Sequence, residues 1–153
     1  MAEEIERKFL VRDESWQDGS PGVRIAQGYL CADRHRTVRV RIAGETGFLT
    51  IKGPTEGIRR AEFEYEIPAE EAWSLLALCL PGVIDKTRYR IHYGGHVWEV
   101  DVFHGDNAGL VVAEVELADE SISPELPNWL GAEVSSDPRY FNSQLAVMPY
   151  KRW

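Results

Sequence analysis

The sequence predicts a mainly β, α+β fold: an eight-stranded antiparallel barrel closed on itself, with one connecting helix and a short helix near the C-terminus. Three observations lead there. Apolar and polar residues alternate in eight separate stretches, the period-two pattern of half-buried strands. Glycine-rich turns suited to antiparallel neighbours separate several of them. One face of nearly every stretch is almost purely Glu or Arg/Lys, and like charges sharing a strand face repel unless opposite charges face them.

The strand patterns run over residues 4–11, 23–31, 37–42, 48–52, 60–67, 86–93, 97–103 and 110–117. Turns are expected at 43–47, 53–57, 94–95 and 105–109, each holding at least one glycine. A helix is expected over 69–80. Pro68 stands at its entry, Glu70 and Glu71 complement the dipole of its first turn, and Pro81-Gly82 stops it. A second helix is expected over 138–148, with Ser136 or Asp137 as its cap, Pro138 at its first position and Pro149 beyond its end. The stretch 121–129, carrying Pro124 and Pro127, reads as irregular.

Composition narrows the function classes. The chain has 153 residues, 44% of them hydrophobic and 27% charged, as expected of one globular unit spanning 1–153. No run approaches the roughly 20 apolar residues of a membrane-spanning helix. The N-terminus is charged from Glu3 onward, unlike a secretory leader, and Cys31 and Cys79 stand apart, so a cytoplasmic protein with reduced thiols is expected. The net charge of −8 opposes binding to nucleic acid or anionic membranes, and an anionic ligand would need a local cationic cluster.

That cluster exists in the strand rows. Glu4, Glu6 and Lys8 share one face; Arg39 and Arg41 another; Thr50 and Lys52 a third. Arg60, Glu62, Glu64 and Glu66 follow, then Lys86, Arg88, Arg90 and His92, then Glu99 and Asp101, and finally Glu114 and Glu116. For one strand alone, a solvated sheet face is the ordinary explanation. Taken together, the rows fit a barrel whose acidic strands face basic ones across a wet lumen. Lysines and arginines would match phosphate oxygens. The carboxylates would repel them unless Mg²⁺ or Mn²⁺, which favour oxygen ligands and are commonly shared between carboxylates and phosphates, stood between. Metal plus polyphosphate is the self-consistent content.

The ExExK run Glu4-Ile5-Glu6-Arg7-Lys8 resembles the N-terminal signature of the CYTH superfamily, the triphosphate tunnel metalloenzymes. So do the Arg39/Arg41 row, the Thr50-Ile51-Lys52-Gly53 segment, the Glu62/Glu64 and Lys86/Arg88 rows and the Glu114/Glu116 pair, over nearly the whole chain. The resemblance, strongest to small tripolyphosphatases whose C-terminal helix plugs one mouth, implies a tunnel holding Mg²⁺ or Mn²⁺ and a triphosphate. It implies Glu4, Glu6, Glu114 and Glu116 as metal ligands, supported by Glu62 and Glu64. Lys8, Arg39, Arg41, Lys52, Lys86 and Arg88 are implied triphosphate contacts, and Arg60 joins them from the lumen row.

A second metal or a glutamate, Glu4 or Glu6, is expected to orient and deprotonate the attacking water, and Lys86 to stabilise the leaving oxygen. Thiamine triphosphatase or adenylate cyclase chemistry is the alternative, as is a binding module without turnover. The former needs an apolar or aromatic pocket, and the tryptophans read as packing residues. The four histidines lack mutual ligand spacing. Oligomeric state is left open.

Overall fold

The computed structural model, which describes residues 2–153, turns the alternating stretches into a closed antiparallel sheet. In chain order the elements are β1 (Glu3–Val11), β2 (Val23–Ala32), β3 (Thr37–Ala43), β4 (Thr46–Lys52), β5 (Arg59–Ile67), α1 (Ala69–Leu76), β6 (Ile84–Tyr93), β7 (His96–Phe103), β8 (Val111–Glu116), β9 (Leu130–Glu133), a 3₁₀ turn Pro138–Tyr140 and α2 (Asn142–Val147). Strands pair in the order β5-β4-β3-β2-β6-β7-β8-β1, and β1 meets β5 to close the ring. The hairpin between β6 and β7 turns on Gly94 and Gly95 at φ 58° and 78°, the double left-handed conformation that suits a two-residue loop.

Closure is shared along β1. Its first part, Glu3 to Ile5, pairs with Ala61 to Arg59 of β5, whereas Phe9 and Val11 pair with Glu133 and Leu130 of β9. β9 was not foreseen: it lies just past the proline-rich segment, and four residues are too few for alternation to register.

The main apolar clusters lie outside the barrel wall. Ile5, Phe9, Trp98, Val100, Ala113 and Val115 point outward from β1, β7 and β8, and Trp16 and Trp129 cover them. Trp98 packs edge-on against Phe9 and Trp129, with ring centroids 5.7 and 6.0 Å apart. α1 lays Ala72 on Val40 and Ile42 of β3. With the outward phase of β1, β3, β7 and β8 buried, their inward phase is left for polar residues.

Three further expectations are corrected. α1 ends at Leu76 rather than residue 80, because the chain tightens into turns in which Leu78 and Cys79 donate to Leu75 and Leu76, and Tyr29 of β2 then accepts from the Leu80 amide. The helix expected over 138–148 breaks at Phe141, whose backbone is extended, into the 3₁₀ turn and α2. The alternation over 60–67, that of a half-buried strand, would bury Phe63 and Tyr65 on the face opposite Glu62 and Glu64; instead the outer face of β5 is bare, with the two rings 45% and 56% exposed. Among the described residues no helix is long and apolar enough to cross a membrane.

Candidate active site

The inward faces enclose a cavity of about 780 Å³ lined by seven glutamates and eight lysines and arginines. One end has an apolar floor. Ile84, Phe103 and Val112 continue the inward rows of Lys86, Asp101 and Glu114 two residues on, and Leu145 of α2 packs onto them, fully buried. α2 is thereby a plug. All thirteen residues singled out from the sequence line this one cavity, because period-two alternation puts each on the inward phase of its strand.

Their pairing divides them. On the β3–β5 side, Lys52 Nζ donates to both oxygens of Glu4 at 3.0 Å and reaches Glu62 at 3.3 Å. Arg39 donates to Thr50 at 3.2 Å and to Glu64 at 3.3 Å, and Thr50 donates to Glu64 at 2.8 Å. Arg60 bonds the carbonyl of Gly53 at 2.8 and 3.1 Å. On the β6–β8 side, Arg88 makes a bidentate pair with Asp101 at 2.7 and 2.9 Å, and Lys86 meets the same carboxylate at 2.6 Å. Lys86 therefore lines the cavity with its ammonium tied to the wall at Asp101. Lys8 stands 3.8 Å from Glu114 and donates to the carbonyl of Tyr140 at 3.2 Å.

Four side chains complete the network without having been assigned a role: Asp101, Thr50, Gln27 and Asn142. Asp101 and Thr50 stood in the inward rows. Gln27 accepts from Arg41 Nε at 2.8 Å and sits in the phase of Ile25 and Tyr29, where a polar residue in an apolar row was the available signal. Asn142 comes from α2, and nothing local in the sequence marks it.

The electrostatics follow from crowding like charges in a partly dry space. Burial, then the charges of Glu114 and Glu4, push the Glu6 carboxyl well above the usual range. Burial and Glu4 likewise raise Glu62 and Glu116. Burial would raise Glu114 too, but Lys8, Arg88 and Lys86 outweigh it and hold it well below. Burial, with Arg39 and Arg88 nearby, lowers Arg41, and burial with neighbouring cations brings Lys86 down to about 7 in spite of Asp101.

The lumen thus carries two unmet demands. Glu6 and Glu116 stand directly opposite each other on β1 and β8 and, among the described residues, neither forms an ion pair. Glu114 lies two positions from Glu116 on the same face. Hard oxygen donors of this kind are what a small divalent cation takes, and the three would have to draw together to hold it. As they stand, no three acidic, histidine or cysteine side chains among the described residues converge into a ready metal cage; Glu114 stands by Lys8, and Glu4, Glu62 and Glu64 are engaged by Lys52 and Arg39. The other demand is cationic: among the described residues Arg39 Nε is buried without an acceptor, and the charges of Arg39 and Arg88 both act on Arg41. A phosphate oxygen satisfies such a donor.

The CYTH domain model matches residues 2–144. The chain is 47% identical over 154 residues to an inorganic triphosphatase of Acetivibrio thermocellus, covering 100% of this chain and 99% of that one. It is 36% identical over 149 residues to an inorganic triphosphatase of Nitrosomonas europaea, covering 94% and 97%. A solved structure described as an inorganic triphosphatase superposes with a TM-score of 0.66 at 34% identity, over 94% of this chain and 97% of that one. A Hippeastrum protein described as a putative adenylyl cyclase shares the fold at a TM-score of 0.60 and 14% identity, over 76% and 80%.

Proposed function

The chain belongs to the CYTH family, and on that footing we propose that it is a divalent-metal-dependent hydrolase of inorganic tripolyphosphate, releasing pyrophosphate and phosphate. The observation that carries the reading is one cavity holding both an unpaired carboxylate pair, Glu6 and Glu116, and a crowded set of arginines with a buried free donor on Arg39. A triphosphate with its metal meets both demands; either alone meets one. Dependence on a divalent metal is general to the family. Mg²⁺ or Mn²⁺ is our assignment, from the all-oxygen donors.

Glu6, Glu114 and Glu116 would hold the ion, with Glu4 beside them as the Glu4–Lys52 pair opens; Glu62 and Glu64 hold Lys52 and Arg39 in place. When bound, such an ion withdraws charge from phosphate oxygens and lowers the pKa of attached water. The remaining work is positioning and charge complementarity. Arg39, Arg41 and Arg88 take nonbridging oxygens along the chain, with Lys8 and Lys52 at its flanks. Arg60, bonded to Gly53, shapes the wall near them. Glu6, or Glu4 two positions before it on the same face, orients the attacking water and accepts its proton. Lys86, fixed by Asp101, puts positive charge near the departing oxygen. The whole chain acts as one CYTH domain, and the free thiols of Cys31 and Cys79 agree with a cytoplasmic setting.

The test incubates the protein with tripolyphosphate, ATP or thiamine triphosphate, with Mg²⁺, Mn²⁺ or chelator, following phosphate and cyclic AMP. Metal-dependent phosphate release, fastest from tripolyphosphate, is expected. Cyclic AMP from ATP would replace the reading with a cyclase. Silence on all three substrates would leave a binding module.

A further inference from the structure

The plug helix does more than close one end. Asn142, the first residue of α2, turns its side-chain carbonyl toward the cavity and accepts two hydrogen bonds there, from Lys86 Nζ at 3.0 Å and from Gln27 Nε2 at 3.2 Å. Gln27 in turn accepts from Arg41 Nε at 2.8 Å, and Lys86 donates to Asp101, which holds Arg88. An unbroken chain of polar contacts therefore joins Arg41, Lys86 and Arg88, and Asn142 is its only member that lies outside the barrel wall. Gln27, Lys86 and Asp101 are completely buried, so none of them has water as a substitute partner.

We infer that Asn142 is a positioning residue of the site: held by α2, it fixes Lys86 directly and Arg41 through Gln27, so that the cation array is preorganised for a triphosphate. The inference rests on the hydrolysis reading above. The choice of an amide has a physical reason. Lys86 shares one carboxylate, Asp101, with Arg88, leaving the trio net positive. An uncharged acceptor at 142 orients Lys86 without cancelling that charge, whereas a second carboxylate would neutralise it and repel the anionic guest.

The placement of Asn142 depends on how α2 is seated. Leu145 fills the apolar floor, and Gly82, at φ +98° before β6, touches the backbone of α2 so closely that any side chain there would overlap the carbonyl of Ala146. Moving α2 outward withdraws Asn142 from Lys86 without altering a polar residue.

The experiment compares wild type with Asn142→Ala, Asn142→Asp and Gly82→Ala. It measures kcat and KM for tripolyphosphate and, separately, binding of tripolyphosphate by calorimetry in chelator; circular dichroism checks that each variant is folded. Asn142→Ala is expected to lower kcat by about 10- to 100-fold, the scale on which orienting groups act, with a smaller change in KM. Asn142→Asp, nearly isosteric, is expected to weaken metal-free binding about tenfold or more through charge. Gly82→Ala should reproduce the kcat loss of Asn142→Ala.

A purely structural residue would lower the melting temperature in both Asn142 variants while the folded protein kept wild-type kcat and affinity; that result overturns the inference, as does an unchanged kcat in folded Gly82→Ala. Wild type without metal-dependent phosphate release defeats the hydrolysis reading instead. The metal-free binding series still decides the positioning role in that case, since equal affinities for wild type, Asn142→Ala and Asn142→Asp overturn it.

Discussion

Asp101 is the residue whose removal has the largest consequence the structure allows to be worked out. Its side chain is 1% exposed and compensates two buried cations, Lys86 at 2.6 Å and Arg88 at 2.7 Å. Asp101→Asn keeps the shape and removes the charge, and its amide hydrogens oppose donors that are already in place. Arg88 retains Glu99 at 3.4 Å and Lys86 retains the neutral Asn142, so the array is weakened rather than emptied. Breaking one side of a buried pair costs about 3 to 5 kcal/mol. At about 2 to 4 °C per kcal/mol for a chain this long, the melting temperature should fall by roughly 10 °C. Differential scanning calorimetry in chelator at pH 7 measures it. Added tripolyphosphate should recover part of the loss, because it binds the folded state and supplies the missing negative charge. A fall of less than about 2 °C would refute the claim that Asp101 holds the cation array together.

Other expectations follow from the same geometry. Arg39→Ala removes a buried multi-donor contact and should lower kcat/KM for tripolyphosphate by about 10²- to 10³-fold, measured by phosphate release. Lys86 titrates near 7 when folded against 10.5 in the unfolded chain, so between those values the unfolded state binds more protons and stability rises with pH. Wild type should therefore gain melting temperature relative to Lys86→Met between about pH 7 and 10.5, and a constant difference would count against the burial argument. Trp98→Ala, outside the barrel, should cost about 3 to 5 kcal/mol by denaturant titration while leaving the kcat of the folded protein unchanged.

The inward set was legible because alternation is a strict geometric rule: once the strands are located, Glu4, Glu6 and Lys8, or Lys86 and Arg88, must share a face. Which face turned inward was legible from charge alone, since rows of one sign need opposite rows across from them. Pairing was not. Strand phase does not reveal that Lys52 takes Glu4 and Glu62, or that Asp101 serves Lys86 and Arg88 together: the Glu62 and Asp101 pairs depend on the register of the β4–β5 and β6–β7 hairpins, and the Glu4 pair, 48 positions apart, on how the ring closes. The end of α1 and the break at Phe141 were hidden for a related reason: helix signals are local, whereas Tyr29 claims the Leu80 amide and Lys8 claims the Tyr140 carbonyl from distant strands. Phe63 and Tyr65 have the β propensity of strand residues, which carries no information about whether anything covers them.

The most direct test of the account is a crystal of the protein grown with Mn²⁺ and a non-hydrolysable imido analogue of tripolyphosphate, examined for anomalous scattering. An anomalous peak among the Glu6, Glu114 and Glu116 carboxylates, with the analogue lying along Arg39, Arg41 and Arg88, is the predicted outcome. Manganese or analogue bound only on the outer surface, with the lumen holding water alone, would contradict it.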